Sequence, residues 1–433
     1  MTPMRLALEG ITAIDVSQIA AVPMAARHLA DFGARVIHVE HPVRGDAWRG
    51  FQAAQGLSDV PYLWEHFNRN KRSLALDIST PQGQQVLYHM VERSDVFFTN
   101  LRLWERDKYH LGYEDLKACN PRLIYGSLTA FGKKGPDRNN PAYDATSYWS
   151  RSGLQYLLTT PGMSAPAFRG AFGDNVTGLG LALGVMIALY DRERTGVGQE
   201  IDVSLLQMGL YQMTFDIGGV LASGGQFEKK RFSRYQETED MKAERERLME
   251  EAKGPLARLQ EYYRRNAPNP LAVPYETRDG RTISFVAVHA DRNWPLVCRL
   301  IGREDLASEE RFQTIEGRKE HKSELYDILK EAFAARTLAD WRESLRGIPC
   351  AVVQTADEAI NDPQARANDF FVKLEHPTYG SMEVMASPIN MSETPSTLEM
   401  PAPEFGQHTE EVLLEFGYSW EGIAALKAAN VIA

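Results

Sequence analysis

The first 130 residues alternate between short apolar runs and helix-like segments. The runs ITAIDVS, ARVIHVE, RSLALDI, DVFFTN and PRLIYGSLTAF have the β-branched character of strands. The segments PMAARHLADFG and TPQGQQVLYHMVERS have helical spacing, and Thr80 and Pro81 are typical of a helix start. This alternation predicts an α/β fold with a Rossmann-like, mostly parallel sheet, whose ligands bind beyond the carboxyl ends of the strands.

The pattern changes after about residue 225 and predicts three regions. Residues 1–225 form a large domain, and residues 226–330 form a smaller α+β domain that begins with a heavily charged helical stretch at 226–266. Residues 331–433 return to the large domain. A hairpin is predicted in ETRDGRTISFVAV and a helix around RNWPLVCRLIG.

Composition limits the classes of partner and the kinds of site that we expect. A formal net charge of -10 argues against a nucleic acid or an anionic membrane as the main partner, because either needs a concentrated basic surface. Three widely separated cysteines indicate neither a disulfide framework nor a zinc site. We therefore expect a cytoplasmic protein with no bound metal and no membrane segment.

Common catalytic signatures are missing from the sequence. The turn after the first strand, SQIAAVPMAA, lacks the glycines that a dinucleotide pyrophosphate requires, although Glu40 ends the second strand as a ribose-binding acid would. The chain also lacks G-x-x-x-x-G-K-[ST], G-x-S-x-G and H-E-x-x-H. We interpret four of the ten histidines, His38, His41, His66 and His110, as structural.

The motif AFGDNVTGLG places Asp174 at the start of an apolar helix with small residues. In one interpretation Asp174 is a helix N-cap, which is worth about 1 kcal/mol. In the other, the helix dipole keeps the carboxylate ionised, Gly173 lets a substrate approach it, and Asp174 acts as a nucleophile. The local sequence alone favours the cap.

Eight ordered blocks resemble the class III CoA-transferases, a family that includes formyl-CoA transferase and carnitine CoA-transferase and has α-methylacyl-CoA racemase as a relative. They span nearly the whole chain: GITAIDVS…HLADFGARVIHVEHP, FNRNKRSLALDI, LGYEDLKACNPRLIYGSLTAFGKKGP, PAYDATSYWSRSGL, AFGDNVTG, ALYDRERTGVGQEIDVSL, NPLAVPYETRDGR and IPCAVVQTADEAINDPQARANDFF. The resemblance implies that Asp174 is the nucleophile and forms an aspartyl-CoA thioester. It also implies an interlocked homodimer.

The resemblance implies further site residues. Asp144 matches a carboxylate near the nucleophile, with a structural strand-end acid as the alternative. Racemases of the family carry histidine and aspartate where this chain has Tyr143 and Asp144, so transfer is favoured over racemisation. Lys133 and Arg102 could meet CoA phosphates. The implied CoA-binding residues are Ala20, Ala21, His41, Leu76, Asn100, Leu101, Arg102, Lys134 and Tyr143.

Three functions therefore stay open. A CoA-transferase would exchange CoA between an acyl-CoA and a free carboxylic acid, with CoA and its esters as substrates and no permanently bound cofactor. An acyl-CoA racemase or isomerase would need one acyl-CoA alone. A non-catalytic binding module would use the charged stretch at 226–266 as its contact surface. The formyl-CoA transferase lid has no counterpart in NPLAVPYETRDGR, so we expect acids larger than oxalate, with aromatic or hydroxy acids favoured.

Overall fold

A computed structural model describes residues 5–51, 56, 58–159, 165–168, 170–224, 255–266, 269–286, 290–342, 344–345 and 347–433. The chain divides into two compact units. Unit 1 contains Met1–Leu158, Pro166–Gly224 and Gln364–Ala433, and unit 2 contains Thr159–Ala165 and Gly225–Pro363.

Unit 1 is built on a six-stranded parallel sheet, as the strand and helix alternation predicts. Along the chain its first part runs β1 (Thr12–Val16), α1 (Ala21–Asp31), β2 (Arg35–Glu40), α2 (Tyr62–Asn68), β3 (Lys71–Ala75), α3 (Pro81–Val91), β4 (Val96–Thr99), α4 (Leu103–Tyr109), α5 (Tyr113–Cys119) and β5 (Ile124–Thr129). A π-helix (Ala145–Arg151) follows, and then α6 (Leu154–Leu157), α7 (Phe172–Thr195), β6 (Glu200–Ser204), α8 (Leu205–Gln212) and α9 (Thr214–Ala222).

The strand order is β3-β2-β1-β4-β5-β6, so the direction of winding reverses between β1 and β4. All five pairs are parallel, and Ile14 of β1 lies opposite Ile37 of β2 and Phe97 of β4. Such a reversal separates the connections at the carboxyl ends of the two central strands and leaves a crevice there for a ligand.

Alternate residues of the strands serve two cores, one on each face of the sheet. Ala13 faces the layer of α1 and α7, whereas Ile14 faces the layer that contains α3 and α5. Both faces are apolar because a parallel sheet is covered by helices on both sides. The predicted start of α3 is confirmed, since Thr80 Oγ1 accepts a hydrogen bond from the Gly83 N–H.

Helix α7 is the longest helix of the described residues, with 24 residues, and it passes through unit 1. Its glycines allow close packing: a Cβ on Gly178 would collide with the Ala21 carbonyl oxygen of α1, and one on Gly184 with Ile201 of β6. By length and composition α7 could also cross a membrane, but 44% of its most apolar window is buried within the protein. The small residues of α7 therefore pack against neighbouring elements of unit 1.

The C-terminal part of unit 1 begins within α17 and covers the sheet. After unit 2, which carries α10 to α16 and β7 to β9, it consists of α17 (Pro363–Ala367), the hairpin β10 (Phe371–His376) and β11 (Gly380–Met385), α18 (Thr409–Glu415) and α19 (Trp420–Ala428). The Ala75 N–H donates to Thr409 Oγ1, and Leu76 pairs with Ile432.

Unit 2 has its own core. It contains α10 (Pro255–Asn266), β7 (Pro274–Glu276), β8 (Thr282–Phe285), α11 (Ala290–Leu300), α12 (Glu310–Gln313), α13 (Ile315–Glu320), α14 (Lys322–Ala334), α15 (Leu338–Trp341), β9 (Cys350–Val352) and α16 (Ala356–Ala359), with 3-10 turns at Pro270–Ala272 and Glu304–Ala307. The predicted hairpin is present as antiparallel β7 and β8, and the predicted helix is α11.

Two sequence expectations differ from these bounds. The expected boundary at residue 331 lies inside α14, and unit 2 continues to Pro363, because Phe333, Leu338 and Trp341 belong to its core. Of the charged stretch 226–266, the last part forms α10, with Tyr263 packed on that core. Residues 225–254 lie outside the described residues.

Candidate active site

A cavity of about 290 Å³ lies in unit 1 at the carboxyl ends of β1, β4 and β5. It therefore occupies the crevice beside the winding reversal, where the sequence places ligands. Its lining combines amides, two arginines and two carboxylates: Gln18, Ile19, Ala20, Ala21, Asn100, Leu101, Arg102, Leu103, Glu105, Leu128, Thr129, Ala130, Arg138, Asn139, Asn140, Pro141, Ala142, Tyr143, Asp174 and Leu205.

The loop after β1 forms one wall of the cavity. Asn100, directly after β4, accepts a 3.0 Å hydrogen bond from the Gln18 N–H and donates a 2.7 Å hydrogen bond to the Gln18 carbonyl. Ile19 has a left-handed backbone with φ of 74°. Ala20 and Ala21 then begin α1, so the N-terminus of this helix meets the cavity.

Asp174 lies in the first turn of α7 and is one of the two carboxylates in the cavity lining, the other being Glu105. The N-cap interpretation is wrong, because helix α7 begins at Phe172 and its N-cap is Ala171, whose φ is 77°. Burial raises the pKa of Asp174, and the nearby Asp144 raises it further, to about 7. The expectation that the helix dipole keeps Asp174 ionised is therefore corrected, since burial and like charge outweigh that effect.

Asp144, from a separate segment of the chain, binds the N-terminal turn of helix α7. Its side chain is 3% exposed, and its Oδ1 accepts a 3.2 Å hydrogen bond from the Gly173 N–H. Burial raises the pKa of Asp144 to about 6, although backbone N–H groups at the start of α7 act to lower it. Asp144 precedes the π-helix rather than ending a strand, so the strand-end alternative is wrong.

Gly173 lets helix α7 pack closely against Tyr148 and Asp144, and it does not leave open space beside Asp174. A Cβ at Gly173 would overlap the Tyr148 ring and Asp144 Oδ1. Gly173 is therefore the point where the π-helix and α7 touch. The expectation that Gly173 leaves room for a bulky substrate is corrected for this reason.

The arginines of the cavity are available for anions. Within the described ranges no carboxylate pairs with the guanidinium group of Arg102 or Arg138, although the Arg102 backbone N–H donates a 2.9 Å hydrogen bond to Glu105 Oε2. Lys133 instead pairs with Glu200, and Lys134 is exposed outside the cavity lining. Guanidinium groups bind phosphate and carboxylate oxygens with two parallel hydrogen bonds, so these two arginines suit an anionic ligand.

Most residues that the resemblance implies line one cavity. Ala20, Ala21, Asn100, Leu101, Arg102, Tyr143 and Asp174 line it, and Asp144 lies behind Gly173. Three others lie outside the lining: Leu76 is buried in the core beside α18, His41 accepts the Val43 N–H in the turn after β2, and Lys134 is exposed. The sequence did not identify Ile19 or Asp46 as residues near the site. For Asp46 the one local feature was the glycine before it, Gly45, which is typical of a turn.

Three comparisons relate this chain to known proteins. The family model described as CoA-transferase family III matches residues 8–242 and 246–409. The (R)-2-hydroxy-4-methylpentanoate CoA-transferase of Clostridioides difficile is 28% identical over 98% of this chain and 99% of its own length. The cinnamoyl-CoA:phenyllactate CoA-transferase of Clostridium sporogenes is 28% identical over 96% of this chain and 95% of its own.

A solved structure has the same fold over nearly the whole chain. Rv3272 of M. tuberculosis superposes with a TM-score of 0.76 and 26% identity, covering 94% of this chain and 99% of that one. The family match covers far more than half of the residues. The chain belongs to CoA-transferase family III and is an enzyme of that class.

Proposed function

We propose that the enzyme transfers CoA from an acyl-CoA to a free carboxylic acid through a covalent aspartyl-CoA intermediate on Asp174. One observation carries the proposal: Asp174 lines the cavity, and no side-chain hydrogen bond within the described residues occupies its carboxylate. A carboxylate that is partly desolvated and unbonded is a stronger nucleophile than one in water.

Four displacements complete the reaction. Asp174 attacks the thioester carbonyl of the donor, and the CoA thiolate leaves a mixed anhydride. The thiolate attacks the aspartyl carbonyl, which releases the donor acid and forms aspartyl-CoA. The acceptor carboxylate attacks aspartyl-CoA and expels the thiolate, giving a second anhydride. The thiolate then attacks the acceptor carbonyl, so the new acyl-CoA forms and Asp174 is restored.

In this scheme Asp144 supports Asp174 from the other side of Gly173. Its carboxyl holds the N-terminus of α7 in place and raises the pKa of Asp174. As CoA-binding residues we propose Ala20, Ala21, Asn100, Leu101, Arg102 and Tyr143, which share the cavity with Asp174. Arg102 and Arg138 would bind phosphates or the acceptor carboxylate.

For the acceptor we propose a 2-hydroxy or aryl carboxylic acid larger than oxalate. The two relatives are named for a branched 2-hydroxy acid and for phenyllactate. Aromatic rings also stand beside Asp144 and Asp174: Trp149 stacks on Phe168 with ring centroids 4.1 Å apart and meets Phe172 edge-on. These rings lie outside the cavity lining and offer apolar surface near the two carboxyl groups, which favours an acid with an apolar side chain over oxalate.

We also propose a homodimer. The exposed face of α7 carries Leu183, Ile187 and Tyr190 at helical spacing, each more than 60% exposed. Tyr211, Phe215 and Leu221 on the next two helices are at least 72% exposed. Apolar residues at this density are typical of surfaces that a second subunit covers.

We propose the cytoplasm as the compartment of the enzyme. The thiols of Cys119, Cys298 and Cys350 are free, which suits a reducing environment.

The test of the intermediate is intact-protein mass spectrometry after mixing the enzyme with a panel of acyl-CoAs. We expect a CoA-sized adduct on the wild type that hydroxylamine removes, and no adduct on Asp174→Ala. Asp191→Ala is the matched control, because Asp191 lies on the same helix far from the cavity, and it should form the adduct normally.

The contrary results are equally clear. Incorporation of solvent deuterium at the α-carbon of an acyl-CoA, without any adduct, would replace transfer by racemisation. An adduct that survives in Asp174→Ala would place the nucleophile elsewhere.

A further inference from the structure

A strained residue forms part of the cavity wall. Ile19 has φ of 74°, and its neighbours Gln18 and Ala20 also line the cavity. A β-branched residue rarely adopts this backbone, because its Cβ branches crowd the carbonyl groups. Such strain costs on the order of 1–3 kcal/mol and persists only where the surrounding structure enforces it, often at a functional site.

Asp46 supplies the enforcement. It follows Gly45, which itself has φ of 61°, and the resulting turn directs the Asp46 side chain inward. The Ile19 N–H lies 3.1 Å from Asp46 Oδ2 and 3.3 Å from Oδ1. Asp46 Oδ1 also accepts a 2.8 Å hydrogen bond from the Trp48 N–H. One buried carboxylate therefore holds the backbone of two segments.

The Trp48 ring packs on a cluster that the start of helix α7 also contacts. Trp48, Ile19 and Ala171 all pack against one small cluster, which consists of Ala20, Met24 and Phe67. Ala171 is the left-handed N-cap of α7, three residues before Asp174. The cluster thus links the loop after β1 to the start of the helix that carries Asp174.

Asp46 is also the end of a row of four buried charged side chains, which continues through His38 and Asp15 to Lys71. His38 Nε2 lies 3.5 Å from Asp46 Oδ2, and His38 Nδ1 lies 3.0 Å from Asp15 Oδ2. Lys71 Nζ lies 2.8 Å from the same oxygen of Asp15 and donates to the carbonyl of Pro23 as well. Four fully buried charges alternate in sign along this chain, so the arrangement is neutral as a whole.

The protonation of His38 agrees with this geometry. Burial lowers the pKa of His38, but the carboxylates of Asp15 and Asp46 outweigh burial and raise it to about 9. His38 is therefore a cation at neutral pH, and it attracts the Asp46 carboxylate.

We propose that Asp46 is a positioning residue for the CoA ester: by binding the Ile19 N–H it holds Ile19 in its left-handed conformation and thereby sets the loop that the ester contacts. The inference rests on the proposed function, in which the cavity binds the CoA ester next to Asp174. Asp46 touches no substrate and does no chemistry. Its loss should weaken binding of the ester more than it slows the chemical steps.

Four variants test the proposal. Asp46→Ala removes the acceptor for the Ile19 N–H. Asp46→Asn keeps an acceptor oxygen of the same reach. Asp46→Ala with Ile19→Gly removes the need for enforcement, because glycine adopts positive φ freely. Asp95→Ala is the matched control: Asp95 accepts the Thr12 N–H with a 2.8 Å hydrogen bond at the other end of β1 and does not line the cavity.

The measurements are KM and kcat for acyl-CoA, the Tm, and the Kd of acetyl-CoA by calorimetry in an Asp174→Asn background, where no turnover intervenes. We expect Asp46→Ala to raise KM and Kd by at least about tenfold with kcat changed less than threefold. Asp46→Asn should keep KM and Kd within threefold of the wild type, although loss of the charge beside His38 should lower its Tm. Ile19→Gly should recover at least half of the loss in KM and Kd, measured on a logarithmic scale. Asp95→Ala should lower the Tm without raising KM.

Several results would overturn the proposal: a fall in Tm for Asp46→Ala without any rise in KM or Kd, an Asp46→Asn variant as impaired as Asp46→Ala, or a double variant with no recovery. Should Asp46→Ala fail to fold, Asp46→Glu replaces it, since it moves the carboxylate by one methylene, and the same rescue by Ile19→Gly is required. Failure of the aspartyl intermediate is recognised separately, because the calorimetric Kd does not depend on a covalent adduct.

Discussion

The Gly173 N–H donates a 3.2 Å hydrogen bond to Asp144 Oδ1, one residue before Asp174. Two carboxyl groups therefore share the N-terminal turn of α7, one behind it and one in the cavity. They are close enough for Asp144 to raise the pKa of Asp174. This relationship determines both how tightly the turn is packed and when Asp174 ionises.

Gly173→Ala should inactivate the enzyme. The added methyl group would overlap Asp144 Oδ1 and the Tyr148 ring, so the turn that carries Asp174 must move. A displacement of about 1 Å at a reacting group costs on the order of a hundredfold in rate. We expect such a loss of kcat and a lower Tm. Gly170→Ala is the matched control, since no other part of the described structure lies within 4 Å of its added methyl group. Equal losses in both variants would contradict the packing argument.

The rate of aspartyl adduct formation should rise with pH through about 7. Only ionised Asp174 attacks, and its pKa is raised to about 7 by burial and by Asp144. Asp144→Asn removes the negative charge and keeps an acceptor for the Gly173 N–H, so the midpoint should move to lower pH. Quenched-flow measurement of the adduct at several pH values reads the midpoint. Asp137→Asn, which alters a partly buried acid paired with Arg151, should leave the midpoint unchanged.

Asp174→Asn should stabilise the protein at pH 8 and not at pH 4. The folded pKa lies above the unfolded value, so the folded state binds more protons, and stability falls as pH rises from about 4 through 7. The amide of the variant cannot ionise, so the variant does not lose this stability as pH rises. After allowance for partial exposure we expect a gain of about 1 kcal/mol, or about 2 °C in Tm. Thermal unfolding at both pH values measures it; an equal gain at pH 4 would indicate packing rather than ionisation.

Arg102→Gln should weaken binding of CoA esters by about tenfold, because a charge-assisted hydrogen bond to a phosphate or carboxylate contributes about 1.5 kcal/mol. Lys133→Gln is the contrasting variant, since Lys133 is already paired with Glu200 and should leave the Kd within about twofold. Calorimetry with acetyl-CoA at two salt concentrations reads both the affinity and its electrostatic part. Equal Kd values for the two variants would remove Arg102 from the proposed CoA site.

Ile187→Glu should dissociate the proposed homodimer. The side chain lies in the middle of the exposed apolar face of α7, and a buried unpaired carboxylate there would cost several kcal/mol in an interface. Sedimentation velocity should show the dimer mass for the wild type and the monomer mass for the variant. Glu193→Lys, an exposed change on the same helix outside this face, should remain dimeric. A monomeric wild type at micromolar concentration would refute the dimer.

Periodicity allowed the local structure of the large unit to be predicted. The runs from ITAIDVS to PRLIYGSLTAF are apolar on consecutive positions because both faces of their strands are covered, and the intervening segments repeat with helical spacing. The position of the cavity follows in general form, since a parallel sheet places its ligand beyond the strand ends. The resemblance added Asp174 and six other residues of the cavity lining.

Other features could not be predicted from local patterns. Ile19 and Ala171 adopt backbones that their side chains disfavour; both pack on a shared cluster, and the Ile19 N–H also donates to Asp46. The end of unit 2 at Pro363 depends on which core receives each apolar side chain, and no period distinguishes one core from another.

By itself the sequence determined the parallel α/β architecture, the family and the identity of the candidate nucleophile, because these depend on periodicity and on motifs that are local along the chain. Only the tertiary structure decided that Asp174 stands inside the helix and not at its cap, that Asp144 lies behind it, and that Asp46 holds Ile19. Hydrogen bonds and pKa values depend on distances between residues that are 27 to 30 positions apart in sequence, and those distances exist only after the chain has folded.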